Sequence, residues 1–319
     1  MENLKAVKYN KYWQKKWDEF VASSCNGTIF HCQKFLSYHS SEKFKDFSLL
    51  LSESGQIKSV FPAAAKEIEG KRYFFSHPGS SYGGLVVNEN ISIAEAFEYL
   101  KIVIDFAKKN SFDGIIIRHS ERIFQKSPAE VLDFAMTWLG FGYYARELSS
   151  SVDLARFNFN KKARNAVRKA EKLGLTGSLS QDYDGFFKLL CDNLAKKHNS
   201  LPTHSLEEMK KIKNLFPEDV FLMSVFLKEK MIAGIWFFRC NEVGLHTFYI
   251  AQDYDFQEYR PLNLAAQELI RWAIEKKLRY LNFGISTEEK GKVINWNLFK
   301  FKESFGAFGT RRDAYILNF

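Results

Sequence analysis

The sequence predicts a mixed α/β protein built as two successive units, and three observations predict it. Helical periodicity alternates with short β-branched or aromatic runs along the whole chain. The same order of elements, strands followed by a helix and another strand, occurs once in each half. The length of 319 residues, 46% apolar and 26% charged, suits two ordinary cores and excludes extended disorder and fibrous repeats.

In the first half, apolar stretches at 47–51, 57–65 and 72–75 are broken by Glu53-Ser54-Gly55 and Glu69-Gly70, turn signals that make a strand meander. Ile93, Ala96, Phe97, Leu100, Ile104 and Ala107 recur at helical spacing and run into Lys108-Lys109-Asn110, cations that suit the negative end of a helix dipole. Ile115-Ile116-Ile117 is the next strand, followed by a helix over about 128–139 and a strand near Tyr143. Ser149-Ser150-Ser151 marks the joint, dividing a first domain, 1–150, from a second, 151–319. The second half opens with a basic helix over 161–173 and continues with helices at 184–198 and 206–215. Strands follow at 220–226, 231–238 and 244–250, then a helix at 262–277, a strand at 280–283 and a last strand near 314–317.

A formal charge of +9 gives a summed positive field that concentrates anionic partners: nucleotides, CoA phosphates, RNA or anionic lipid headgroups. Cys25, Cys32, Cys191 and Cys240 show neither CxxC nor zinc-finger spacing, so they read as free thiols in a reducing compartment and no metal is expected. No apolar run approaches the length of a membrane span, and the polar, lysine-rich start has no signal core; a cytoplasmic location is expected.

Three segments have the composition of chemistry. On the helix from Lys161 to Gly174, Ala163, Ala166, Val167, Ala170 and Leu173 form a narrow apolar face. Lys161, Lys162, Arg164, Arg168, Lys169 and Lys172 occupy the rest. That pattern is a solvated face or an edge for phosphate or RNA. Glu258-Tyr259-Arg260-Pro261-Leu262-Asn263-Leu264-Ala265 opens a helix with proline in its first turn, an anion site or an ordinary helix start. Asn297 to Gly309 sets Lys300 and Lys302 among four phenylalanines. A lysine there either donates to a developing oxyanion where water is excluded or snorkels from an apolar patch. His77-Pro78-Gly79-Ser80-Ser81-Tyr82-Gly83-Gly84 is glycine-rich but lacks a Walker lysine, and His198, His204, Glu207 and Glu208 lack the logic of a metal site.

In order and spacing these segments resemble the FemAB-type branch of the GNAT superfamily, which includes the aminoacyl transferases of peptidoglycan cross-bridges. Thr28-Ile29-Phe30-His31 with Phe35-Leu36 is similar to the family's N-terminal signature. Lys161 to Gly174 is similar to its basic helix, and Ala195-Lys196-Lys197-His198 to the helix end before its acceptor loop. Tyr249-Ile250-Ala251, Gln267 to Ala273 and Leu281-Asn282-Phe283-Gly284 follow its strand, helix and strand. Arg260-x-x-Asn263-x-Ala265 approaches the loop that holds the CoA pyrophosphate, with Asn263 at the first glycine, and Phe301-Lys302 matches the family's Phe-Lys pair.

The resemblance implies two tandem GNAT-like domains with a cleft between them, the first on the acceptor side and the second carrying the donor site and the catalytic lysine. Lys302 would stabilise the tetrahedral oxyanion, Phe301 wall the site and Tyr249 line the acceptor channel. Arg260, Leu262, Asn263, Leu264 and Ala265 would hold the donor, and Tyr82, His119, Thr203 and His204 would meet the acceptor. Departures bear on the acceptor. His39 and Ser40 stand in place of a phosphate-binding lysine, Thr203 in place of an arginine, and Arg118-His119-Ser120 where the cross-bridge enzymes have an aspartate. A nucleotide-linked muramyl peptide is therefore not expected.

The expected activity is an N-acyltransferase moving an acyl group, acetyl first, from acetyl-CoA or another acyl-CoA to an amine of a cell-envelope sugar, sugar nucleotide or lipid-linked precursor, with peripheral membrane contact allowed and no DNA partner. The alternatives are an aminoacyl-tRNA-dependent transferase, whose tRNA the basic helix would grip, and a non-catalytic RNA- or protein-binding member of the fold. No coiled-coil insertion is evident between Lys161 and Pro217, which favours CoA.

Overall fold

The computed structural model describes residues 4–40 and 42–319, apart from the side chains of Lys197 and His198. In chain order the elements are β1 (Lys5–Lys8), α1 (Gln14–Ser23), α2 (Gln33–Leu36), β2 (Leu49–Glu53), β3 (Gln56–Phe61), β4 (Ala64–Ile68), β5 (Lys71–Ser76), β6 (Val86–Val87), α3 (Ile93–Lys109), β7 (Gly114–Arg118), α4 (Glu130–Trp138) and β8 (Gly142–Asp153). There follow α5 (Lys161–Lys172), β9 (Leu175–Ser180), α6 (Tyr183–His198), α7 (Leu206–Leu215), β10 (Val220–Leu227), β11 (Lys230–Arg239), β12 (Gly244–Gln252), α8 (Pro261–Glu275), β13 (Tyr280–Ile285), β14 (Thr287–Glu288), β15 (Val293–Ile294), α9 (Trp296–Glu303) and β16 (Phe308–Asn318). They form two compact units. Unit one is Met1–Leu148 with Thr287–Val293 and Thr310–Phe319, and unit two is Ser149–Ser286 with Ile294–Gly309.

Unit one places the meander on two sheets. The stretch read as one apolar run over 57–65 is cut at Pro62, which has no N–H to continue a ladder. β3 joins the order β1-β2-β3-β6, while β4 starts the order β4-β5-β7-β16. Both turns are where the sequence puts them: Ser54 and Gly55, then Glu69 and Gly70, all have positive φ, the geometry of a two-residue hairpin turn. α3 begins in a Ser92–Glu95 capping box and crosses from β5 to the parallel β7. Its buried face of Ala96, Leu100, Val103 and Ala107 packs on Phe61, Phe74, Ile115 and Ile117. On the small sheet, Trp17, Phe20 and Val21 of α1 cover Leu50, Val60 and Val86.

The end of the chain corrects the domain reading. β16 pairs antiparallel with β7, Ala314 opposite Arg118 and Leu317 opposite Ile115. Residues 310–319, assigned above to the second half, therefore complete unit one, because the unpaired edge of β7 takes them as a partner. The joint itself falls at the serine run, between Leu148 and Ser149, but inside a strand: Ser149, Ser150 and Ser151 are buried within β8.

Unit two has the strand order β13-β12-β11-β10-β9, with residues 149–153 of β8 paired to β13. β9, which the sequence reading left out, pairs with β10 from Leu175 to Ser180. α5 and α8 cover Met223, Val225, Ala233, Ile235 and Phe237. A Cβ on Gly234 would sit 2.6 Å from the Phe186 ring, so α6 lies on the opposite face and approaches closely only because that residue is glycine.

Candidate active site

Unit two opens a fork between two parallel strands. β12 and β13 pair only at Gly244–Tyr280, Leu245–Leu281 and His246–Asn282. Beyond that, β12 stays on β11 and β13 on β8. At the parting, the fully buried Asn282 takes Gly284 N–H on its Oδ1 at 2.7 Å, so the 2.9 Å contact of that oxygen with His246 Nδ1 requires the imidazole to donate. The Asn282 amide donates to Ser151 Oγ at 3.0 Å. Gly284 then turns with φ +71, a left-handed conformation that favours glycine.

Lys302 reaches this turn. It lies on α9, so the segment 297–303, read above for composition alone, is helical, with the Asn295 side chain accepting from Leu298 N–H at its start. The Lys302 side chain is 2% exposed, and its ammonium donates to Gly284 O at 2.9 Å and Ile285 O at 2.7 Å. The lysine neither snorkels nor stands bare: two main-chain dipoles compensate the buried charge. Phe301 packs beside it on Phe305, ring centres 5.1 Å apart, within the core of unit two.

A bulge in β12 aims the second group of residues. Tyr249 faces Trp236 and Thr247 faces Phe237, leaving Phe248 as the extra residue. The Tyr249 hydroxyl accepts from the N–H of Thr203 at 3.1 Å and of His204 at 3.3 Å, and lies 3.0 Å from His204 Nδ1. Because the oxygen accepts two N–H groups, its own proton points at that imidazole nitrogen. Burial pushes the hydroxyl pKa up, opposed by the His204 and Thr203 N–H groups. His204 is buried edge-on against Trp236, Phe248 and Tyr249, while Thr203 is exposed. Three residues proposed from far-apart motifs thus form one contact group.

The helix α8 starts where the sequence puts it, with proline in its first turn. The left-handed residue is Arg260, φ 63, while Asn263 is helical and donates its N–H to Arg260 O at 3.1 Å. Leu264 and Ala265 are buried in the core, so their side chains cannot meet a donor. Leu262 and Asn263 are half-buried. The Arg260 guanidinium lies 3.5 Å from Glu258, which also meets Lys169 of α5 at 3.8 Å. Beside it on α5, Asn165, Arg168, Lys169, Lys172 and Leu173 line a surface depression of about 560 Å³.

The unit-one candidates are less open than expected. Tyr82 is fully buried and donates its hydroxyl to Glu121 at 2.9 Å, so in this structure it supports the glycine-rich loop rather than touching a ligand. His119 packs against Met136 Sδ at 3.4 Å and against Gly84, and burial holds its pKa down. Glu208 is engaged in a capping box with Ser205, and the His198 side chain lies outside the described residues. No three His, Cys, Asp or Glu side chains cluster to hold a metal among the described residues.

Residues 158–292, which hold the forked parallel pair, the helix starting beyond its open end and the crossover back to the second strand, match the acetyltransferase (GNAT) domain family. That stretch, most of unit two, is similar to the GNAT domain. Over the whole chain the fold is similar to solved structures at low identity. FemX matches 99% of this chain and 97% of its own, with 14% identity and a TM-score of 0.73. The C-terminal domain of a putative lysylphosphatidylglycerol synthetase from Agrobacterium fabrum matches over 97% and 92%, with 11% identity and a TM-score of 0.63. A tandem GNAT protein from the clavulanic acid biosynthesis pathway matches over 99% and 98%, with 9% identity and a TM-score of 0.55. The chain has the tandem GNAT fold. No curated protein sequence matches it. Within the matched stretch, His246 and Asn282 form a polar contact at the fork that the sequence reading missed as a pair. They are 36 residues apart, and the signal was a polar residue inside each of two apolar strands.

Proposed function

We propose that the protein transfers an acyl group from acyl-CoA, acetyl-CoA first, to an amine of a cell-envelope sugar, sugar nucleotide or lipid-linked precursor. The observation that carries the reading is the fork of unit two with the buried Lys302 ammonium tied to its lower strand. The amine nitrogen attacks the thioester carbonyl. The C–N bond forms, the negative charge gathers on oxygen, the C–S bond breaks, and the thiolate takes up the proton that the amine gives up. Lys302 supplies positive charge where that oxyanion develops, in surroundings where water does not dilute it. Phe301 and the bulged aromatic group around Tyr249 wall the site, and Thr203 with His204 forms the acceptor loop that Tyr249 pins. Arg260 and the first turn of α8 take the donor's phosphates. The first domain serves the acceptor.

A second reading has its own observation. The α5 depression carries three cations, and an aminoacyl-tRNA donor would lay its backbone there. Among the described residues, α6 and α7 have 16 and 10 residues and form no long coiled coil, which supports CoA over tRNA. Calorimetric titration with acetyl-CoA and with bulk tRNA at two salt concentrations separates the two. Saturable CoA binding that Arg260→Ala weakens about tenfold and Lys302→Ala leaves within about twofold, with transfer lost in Lys302→Ala, is the expected result. Salt-dependent tRNA binding without a CoA signal would move the protein to aminoacyl transfer. Binding of neither would leave a non-catalytic member of the fold.

A further inference from the structure

Unit one holds two arginines that the transfer chemistry does not use. Arg118 ends β7, and Arg312 lies on β16 two residues before Ala314, the partner of Arg118 in the ladder, so both project from the same face of the sheet. The Arg312 side chain is 15% exposed. It donates to Glu147 Oε2 at 2.8 Å and to Ser81 O at 3.0 Å, and its guanidinium lies 5.7 Å from the centre of the Tyr82 ring. The Nε atoms of Arg118 and Arg312 are both buried with no hydrogen-bond partner. Arg118 senses the charge of Arg312 and, in the opposite direction, Glu147, Tyr144 and Tyr82. Burial first, then Arg312, holds its guanidinium down to about 10, still charged at neutral pH. Nearby Glu121 accepts from the hydroxyls of Tyr82 and Thr310.

An unmatched guanidinium donor inside a protein is costly, and two like charges beside one another add to the cost. Glu147 pairs with Arg312, and the buried Glu121 carboxylate is taken up by the hydroxyls of Tyr82 and Thr310. Arg118, Ser81 and Tyr144 are half-buried, and exposed Lys290 stands over the Tyr144 ring at 3.9 Å, where it steers anions inward. We propose that Arg118 and Arg312 form a binding site for a carboxylate on a small-molecule ligand. A carboxylate has the planar pair of oxygens that fits a guanidinium fork and brings one negative charge where a phosphate monoester brings nearly two. The site is built from unit one alone and does not depend on the transfer reading.

The test is titration of the full chain with sodium propionate, with dimethyl phosphate and with inorganic phosphate, each against chloride at equal ionic strength, read by calorimetry and by melting temperature. Propionate should bind saturably to the natural protein, at least tenfold more weakly to Arg118→Met and Arg312→Met, and more tightly to Glu147→Gln, which lacks the built-in competitor. Without ligand, Arg118→Met should melt at the same temperature or higher, because it removes an unmatched buried charge. Absence of saturable propionate binding, equal affinity in Arg118→Met, or saturation by either phosphate probe but not propionate would overturn the assignment. So would a failure of Arg118→Met to fold, since the guanidinium would then be a structural bond. Arg118→Lys, which keeps the charge but loses the fork, should bind several-fold more weakly than the natural protein.

Discussion

His31 is held neutral by burial, and its neighbours decide which of its nitrogens carries the proton. It is fully buried, Thr28 N–H donates to its Nδ1 at 3.1 Å, and its Nε2 faces Gly83 O at 3.0 Å, so the ring has an acceptor nitrogen on one side and a donor on the other. Burial lowers its pKa to about 4, and burial with the charge of His39 lowers that of His77 to about 3. The unfolded chain takes up both protons near pH 6.5, and the folded chain only below about 4. The stability they contribute is therefore complete above pH 6.5 and lost as pH falls, on the order of 3 kcal/mol for His31. Asp18 opposes this: burial raises it to about 6, so it contributes stability that grows as pH falls toward 4. Melting temperature should fall between pH 7 and 4.5, and His31→Gln should flatten that slope by about one proton; an unchanged slope would refute the assignment. At the fork, Tyr249→Phe removes the acceptor for two N–H groups and should cost about 1–3 kcal/mol in denaturant unfolding while reducing transfer. Lys302 and Tyr249 could be singled out in the sequence because each sits in a short stretch that carries the family resemblance. Arg312 with Glu147 was not, since 165 residues separate them and neither lies in a motif.

At the scale of elements, α5 is the clearest case of a composition whose meaning the packing resolves in part. Ala163, Val167 and Ala170 are buried against α8, and Arg168, Lys169 and Lys172 are left exposed around the depression. Arg168→Glu with Lys172→Glu should leave melting within about 2 °C, being surface changes. If tRNA binds, the same pair should lower the salt slope of its binding by about two, measured by titration across salt concentrations; an unchanged slope would remove α5 from the tRNA reading. Helix periods and hairpin turns were readable locally, since they depend on residues three or four apart or on two adjacent positive-φ positions. The split at Pro62, the Phe248 bulge and the left-handed turn at Arg260 were not, because each depends on which neighbouring strand or loop takes up the backbone hydrogen bonds.

For the whole molecule, the return of residues 310–319 to unit one makes the last ten residues part of the first core. A chain ended at Gly309 should lose amide-exchange protection in β7 and α3 while β10, β11 and α8 keep theirs; equal protection in β7 would show that β16 adds nothing. The sequence by itself determined the mixed α/β class, most helices and strands, the hairpin turns and the resemblance that proved right for the fold, because these rest on local periodicity and on motifs held in one stretch of chain. Only the tertiary structure decided which strands neighbour one another, which terminal strand completes which core, and which charges meet. Those outcomes depend on backbone pairing and burial between residues far apart in sequence, and the energies that select them exist only once the chain has brought those residues together.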